Sequence, residues 1–196
     1  MNEPNDISKQ KKSEKTRKRI LNSAIKLMEK KGYESTTIRD ICKEAGISIG
    51  TFYLYFQTKN DLFFDIYKSA DDYFANTVAI IVTGNTASER ILDFFRYYAR
   101  LNVDTGIELA KILYNPYNSW FIQRRPMQQV LENIVSEGQV TGELIDTTTA
   151  AEIVDMLFIF MRGCCYNWCM LEGQYDLELQ MVDYLKHVLP AVQKTD

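Results

Sequence analysis

Apolar residues recur at helical spacing along almost the whole chain. Ile20, Ala24, Leu27 and Met28 mark one face of a helix predicted over residues 14–31, widened by Leu21 and Ile25 and closed by Gly32. Ile38, Ile41, Cys42 and Ala45 mark a second, short helix. Thr37 is placed to cap it, Asp40 stands three residues on in the spacing of a capping box, and Gly46 is placed to end it. Ser48 can cap a third helix. That helix is poor in isolation because it contains Gly50 and Thr51, so Ile47, Phe52 and Phe56 must hold it against its neighbours. Thr58, with Asp61 three positions later, opens a joining helix over residues 59–77, with Leu62, Phe63, Ile66, Tyr67, Ala70 and Phe74 as its apolar stripe.

Beyond a loop at residues 82–88, helical periodicity resumes over 88–104. Gly106 and the Asn115–Pro116 pair break residues 105–119 into short pieces, and 120–141 is mostly helical. Thr149 and Glu152 form another capping box, opening a long helix to about Leu171; Gly173 ends it, and a last helix over 175–189 stops at Pro190. No strand pattern is evident. The predicted fold is all-α: a disordered basic arm over 1–12, a three-helix domain over 13–58, a larger helical domain over 59–190 and a tail over 191–196. The two late helices carry apolar residues on more than one flank. A four-helix seam between two copies is expected there, drawing on Phe160, Cys164, Leu177, Met181, Tyr184, Leu185 and Val188.

Charge sharpens this division. Of the 196 residues, the first sixty hold thirteen Lys/Arg against seven Asp/Glu, a net of +6; the remainder hold ten against nineteen, a net of −9. A basic head on an acidic body directs one end at a polyanion. Lys15, Arg17, Lys18, Arg19 and Lys26 lie on the polar side of the first helix, where phosphate attraction is their expected use. The four cysteines, Cys42, Cys164, Cys165 and Cys169, form no spaced pair of pairs, which suits a reducing compartment. No run of eighteen apolar residues and no leader are seen, so a cytoplasmic protein without a membrane partner is expected.

The stretch 36–61 has the parts of a DNA-reading helix-turn-helix. Inward Ile47, Phe52 and Phe56 leave Ser48, Ile49, Gly50 and Thr51 outward, with Tyr53 and Tyr55 on the flanks. A tyrosine hydroxyl can donate to phosphate, and apolar groups can touch a thymine methyl. The run TTIRDICKEAGISIGTFYLYFQTKNDLF closely resembles the signature of the TetR family of transcriptional regulators, over about residues 14–65. The resemblance implies that Thr37 and Arg39 meet phosphate and that Ile49, Gly50 and Thr51 approach bases. It also implies that Tyr53 takes a backbone phosphate, Tyr55 lies at the groove and Lys59 holds a further phosphate. Ile49 departs from the polar residue often found there, and Cys42 stands where alanine is common.

The middle of the chain is rich in aromatics. Tyr98, Tyr114, Tyr117, Trp120, Phe121, Phe158 and Tyr166 are candidate walls of an effector chamber, with Asp104 and Arg162 as polar anchors. An acidic body favours a neutral or cationic effector. Catalysis finds no set of groups: His187 is the one histidine, no nucleotide fingerprint is present, and neither a cofactor nor a metal is expected. The expected protein is a regulator and not an enzyme. It would act as a homodimeric repressor that binds a pseudo-palindromic double-stranded DNA operator and is released by an unknown small molecule. Two alternatives stay open: a constitutive DNA-binding protein without an effector, and a helical protein-interaction module.

Overall fold

The computed structural model describes residues 4–114 and 124–194, with side chains from Lys12 onward. Its regular elements are helical: α1 Pro4–Lys31, α2 Ile38–Ala45, α3 Ile49–Tyr53, α4 Asp61–Tyr73, α5 Ala79–Ile81, α6 Ala87–Thr105, α7 Ile107–Leu113, α8 Pro126–Val140, α9 Ala150–Met170 and α10 Leu177–Val188. An isolated antiparallel bridge pairs Leu144 with Gln193. The chain divides into two compact units, residues 1–67 and 68–196, and the division falls within α4.

The first helix begins ten residues earlier than its apolar stripe indicates. Backbone from Pro4 on is helical where a disordered arm was expected. Proline suits a first helical position because its φ is already set and its missing N–H is not needed there. No glycine or further proline interrupts residues 5–31. In the first unit Ile20, Ala24 and Met28 of α1 meet Ile41, Cys42 and Ala45 of α2, and Phe52, Phe56 and Leu62 complete a core of fully buried side chains. Each of the large ones, Ile20, Met28, Ile41, Phe52, Phe56 and Leu62, contributes about 1.5–3 kcal/mol by leaving water.

In the second unit α10 packs on α6, α8 on α9 and on α6, and α7 on α9. Phe74, Phe94, Phe95, Tyr98 and Phe158 form one cluster at its centre, with ring centroids 4.8–6.3 Å apart and mostly edge to face. The joining helix is not uniform: after Tyr73 the chain makes a π-helical turn, Phe74–Val78, before α5. Capping fixes the helix starts. Thr149 and Glu152 exchange bonds at α9, Asp176 accepts from Leu179 N–H at α10, and Glu143 reaches across to accept from Ala87 and Ser88 N–H at α6. The long helix α9 has the length and mean hydropathy of a membrane span, but half of that window is buried inside the unit.

Candidate nucleic-acid interface

The reading element is assembled by capping. Thr37 Oγ1 accepts from Asp40 N–H at 3.2 Å, and the Asp40 carboxylate accepts from Thr37 N–H at 3.0 Å. Gly46 then takes a left-handed φ of 62°, which costs glycine nothing, and Ile47 N–H closes on the Cys42 carbonyl at 3.0 Å. Ser48 follows directly and caps α3 through Thr51 N–H at 3.1 Å. The turn is thus only three residues long, and α3 is held by buried Phe52, with Phe56 beyond it 5.6 Å away between ring centroids.

With Phe52 and Phe56 inward, Ser48, Ile49, Gly50 and Tyr53 are exposed, while Thr51 and Tyr55 are half-buried. The Thr51 hydroxyl lies 2.9 Å from that of Ser48, so these two groups act as a pair. Sequence reasoning missed Leu54, which is 82% exposed beside Ile49 at 43% and Tyr53 at 46%. In the sequence Leu54 stands between Tyr53 and Tyr55, both expected at DNA, while Phe52 and Phe56 take the inward positions. A Cβ at Gly50 would meet only the Ser48 Oγ, at 3.8 Å, so this face is open to close approach.

The basic residues divide into two groups. Lys15, Lys18 and Arg19 on α1 and Arg39 on α2 are exposed. Arg17 is not part of that set: its guanidinium pairs with Asp65 and donates to the Tyr55 carbonyl at 3.1 Å, over the Phe56 ring. A guanidinium engaged on three sides inside the fold is withdrawn from the solvent-facing charge that α1 was expected to offer. Lys26 pairs with Glu44, and Lys31 with Asp40. Lys59 is half-buried. Its ammonium donates to the carbonyls of Tyr33 at 2.7 Å and Thr36 at 3.0 Å and sits 3.7 Å from the Tyr33 ring centroid. Burial lowers its pKa.

Of the residues expected around an effector, Tyr98, Tyr114, Phe158 and Arg162 are neighbours in the second unit. Tyr98 and Phe158 are buried in the aromatic cluster, and the Arg162 guanidinium lies 5.3 Å from the Phe158 ring centroid. Asp104 is exposed near the end of α6. Tyr114 reaches inward: its hydroxyl lies 2.8 Å from that of Tyr98 and donates to Asn102 Oδ1 at 2.7 Å, and Asn102 donates to the Tyr98 carbonyl. Burial pushes both tyrosine pKa values up, so the network is neutral. Tyr166 is exposed on α9, and Tyr117, Trp120 and Phe121 lie outside the described residues. Among the described residues no group of three acidic, cysteine or histidine side chains is placed to hold a metal ion.

The expected seam also needs correction. Leu177, Met181 and Leu185 are buried inside the unit because this face of α10 packs on α6, and Cys164 is buried in α9. Phe160 and Tyr184 are exposed, with ring centroids 6.2 Å apart, and Val188 is half-buried. The outward apolar stripe consists instead of Met156, Ile159, Phe160, Tyr166 and Met170 on α9, with Leu179 and Tyr184 on α10.

Residues 20–66 match the sequence model for bacterial regulatory proteins of the tetR family, and residues 123–191 match that for the C-terminal region of YsiA-like proteins. The HTH-type transcriptional regulator AcrR of Shigella flexneri is 34% identical over 195 residues, covering 90% of this chain and 89% of that protein. FadR of Bacillus subtilis, solved with stearoyl-CoA, superposes with a TM-score of 0.69 at 21% identity, over 85% of this chain and 96% of that one. FadR of Thermus thermophilus, a TetR-family repressor solved with lauroyl-CoA, superposes at 0.68 and 20% identity, over 88% and 92%. A capped helix-turn-helix followed by a larger helical unit, together with these matches, makes the chain a DNA-binding member of the TetR family of transcriptional regulators.

Proposed function

We propose that the protein is a ligand-responsive repressor that binds a pseudo-palindromic operator as a homodimer and leaves it when a small molecule occupies the second unit. The observation that carries this reading is the exposed surface within Ser48–Leu54, which follows a three-residue turn in a unit that also exposes cations on α1 and α2. In this reading Ile49, Gly50, Thr51 and Leu54 approach base edges, with Ser48 and Tyr55 beside them. Thr37, Arg39, Tyr53 and Lys59 hold phosphates. No arginine or asparagine lies in Ser48–Tyr55, so apolar contact to thymine methyls and duplex shape carry the selectivity.

The stripe Met156, Ile159 and Phe160 with Leu179 and Tyr184 supports a seam between two copies. Each copy then presents one head to its own half-site, with half-sites a helical turn or more apart. Relatives solved with stearoyl-CoA and lauroyl-CoA support small-molecule control. Release requires only that the effector prefer one spacing of the heads, and α4 is the helix that continues from the first unit into the second. The closely packed Phe74–Phe94–Phe95–Phe158 cluster favours a second reading, a constitutive DNA-binding protein.

The experiment is selection of bound duplexes from a random pool, repeated with a metabolite library that includes acyl-CoA thioesters. A two-fold symmetric consensus whose binding is lost with one class of compound is the expected result. A consensus that no compound disturbs selects the constitutive reading, and no duplex binding even at low salt removes both.

A further inference from the structure

On the outer side of Tyr114 is a solvent-facing hollow of about 300 Å³, lined by Lys111, Tyr114, Tyr166, Cys169, Met170 and Glu172. Its size is at the lower end of small-molecule sites, which span about 300–1,000 Å³. It suits a one-ring compound. Two tyrosine rings, a thioether and a thiol supply apolar walls. Burial raises the Cys169 pKa to about 11, so the thiol adds no charge.

The lining carries one ammonium, Lys111, and one carboxylate, Glu172, which pair; Lys111 is also held at 3.0 Å by Glu108 outside the lining, so it can give up Glu172 and stay paired. Glu172 is also the non-glycine residue among the described ones that holds a positive φ, 55°, beside Gly173 at 71°. Glycine or asparagine would take that conformation more easily. A strained backbone position that keeps a carboxylate at the mouth of a cavity points to a use for the carboxylate.

We propose that this hollow binds small organic ammonium compounds carrying an aromatic or short apolar body. The cation exchanges for Lys111 at Glu172, and the body lies against Tyr114 and Tyr166, whose ring faces attract a cation. The site deepens the effector reading above and rests on it for its regulatory meaning. Tyr114 links the two: its ring lines the hollow, while its hydroxyl joins Tyr98 and Asn102 on α6. A ligand that moves the ring therefore acts on the buried network.

The test is calorimetric titration of the full chain with benzylammonium, benzyl alcohol and benzoate, matched in size and different in charge. Benzylammonium is expected to bind about tenfold more tightly than the alcohol, with benzoate weakest. Glu172→Gly separates function from structure: it relieves the left-handed strain, so the melting temperature rises, while benzylammonium affinity falls about tenfold. Tyr166→Ala weakens binding too, and Glu178→Gln, at a carboxylate that pairs with Arg100 and does not line the hollow, leaves it unchanged. Benzoate binding as well as benzylammonium, or Glu172→Gly keeping full affinity, overturns the proposal, as does no binding by any of the three. Duplex binding measured on the same samples keeps the two readings apart. Intact duplex binding without ammonium binding removes the hollow alone, whereas lost duplex binding counts only against the regulator.

Discussion

The guanidinium of Arg17 and the carboxylate of Asp65 meet in a two-pronged pair, Nε to Oδ2 at 2.5 Å and Nη2 to Oδ1 at 2.8 Å, across 48 residues of sequence. The third nitrogen, Nη1, donates to the Tyr55 carbonyl, just past the end of α3. One side chain on α1 therefore fixes α4 and the exit of the reading helix together. Its partner is 11% exposed, so the acid depends on this contact.

Replacing Arg17 with Gln takes the guanidinium away from the mostly buried Asp65 side chain. The full chain should lose about 1–3 kcal/mol of stability, less than for a fully buried pair because the Arg17 side chain is 39% exposed. Denaturant unfolding measures this. Duplex affinity should fall with it, yet the slope of log K against log salt should hold, because Arg17 releases no phosphate counterion. A slope shallower by about one would return Arg17 to the phosphate-binding set.

Lys59 answers the same measurement differently. Two of its N–H groups hold the carbonyls of Tyr33 and Thr36, and the third is directed to phosphate in the proposed complex. Lys59→Ala should therefore both destabilise the turn before α2 and make the salt slope shallower by about one. Tyr53→Phe, which removes only an exposed hydroxyl, should lower affinity for all duplexes and leave stability unchanged. Loss of stability alone in the lysine variant would confine Lys59 to a positioning role.

Local chemistry was legible in the sequence, and distant partners were not. Thr37 with Asp40, Thr149 with Glu152, Ser48 and Gly46 all act where their spacing placed them, because a cap is satisfied within four residues. Inward Phe52 and Phe56 were equally readable from their period. The periodicity of α10 gave a face of Leu177, Met181, Tyr184, Leu185 and Val188, of which Leu177, Met181 and Leu185 are buried, but not what covers it. A buried stripe looks the same whether α6 or a second copy lies against it. The pairing of Arg17 with Asp65 depends on how α1 and α4 cross, which no local pattern records. The π turn at Phe74–Val78 was invisible for a related reason, since its register change is shorter than the window needed to see it.

Acid should weaken the fold through the caps. Lys31 and Thr37 hold the Asp40 carboxyl below its ordinary range, Thr58 does the same to Asp61, and Thr149 to Glu152. Each folded pKa lies below the unfolded one, so their contribution is complete above the unfolded values, about 3.9–4.3, and is lost as pH falls through and below them. Thermal unfolding at pH 7 and 5 should differ little, with a steep fall below about pH 4. Asp40→Asn should reduce that fall, and a variant as acid-sensitive as the parent would remove Asp40 from the explanation.

Gly163 offers a test of the seam that does not depend on disrupting it. It lies inside α9 in the outward stripe, between Phe160 and Tyr166, and a Cβ built there meets nothing within 4 Å. For an isolated unit, Gly163→Ala should stabilise α9 by about 0.5–1 kcal/mol, because glycine is a poor helix former and the space is empty. If two α9 helices cross at this point, glycine is what permits their backbones to approach, and the added methyl pushes them apart. The proposed homodimer therefore predicts opposite signs from one substitution: a more stable chain by unfolding at low protein concentration, and a weaker dimer by analytical ultracentrifugation. Ile159→Asp should abolish the dimer outright and with it the preference for two-fold symmetric duplexes. An unchanged dimer in both variants would move the seam off this face of α9.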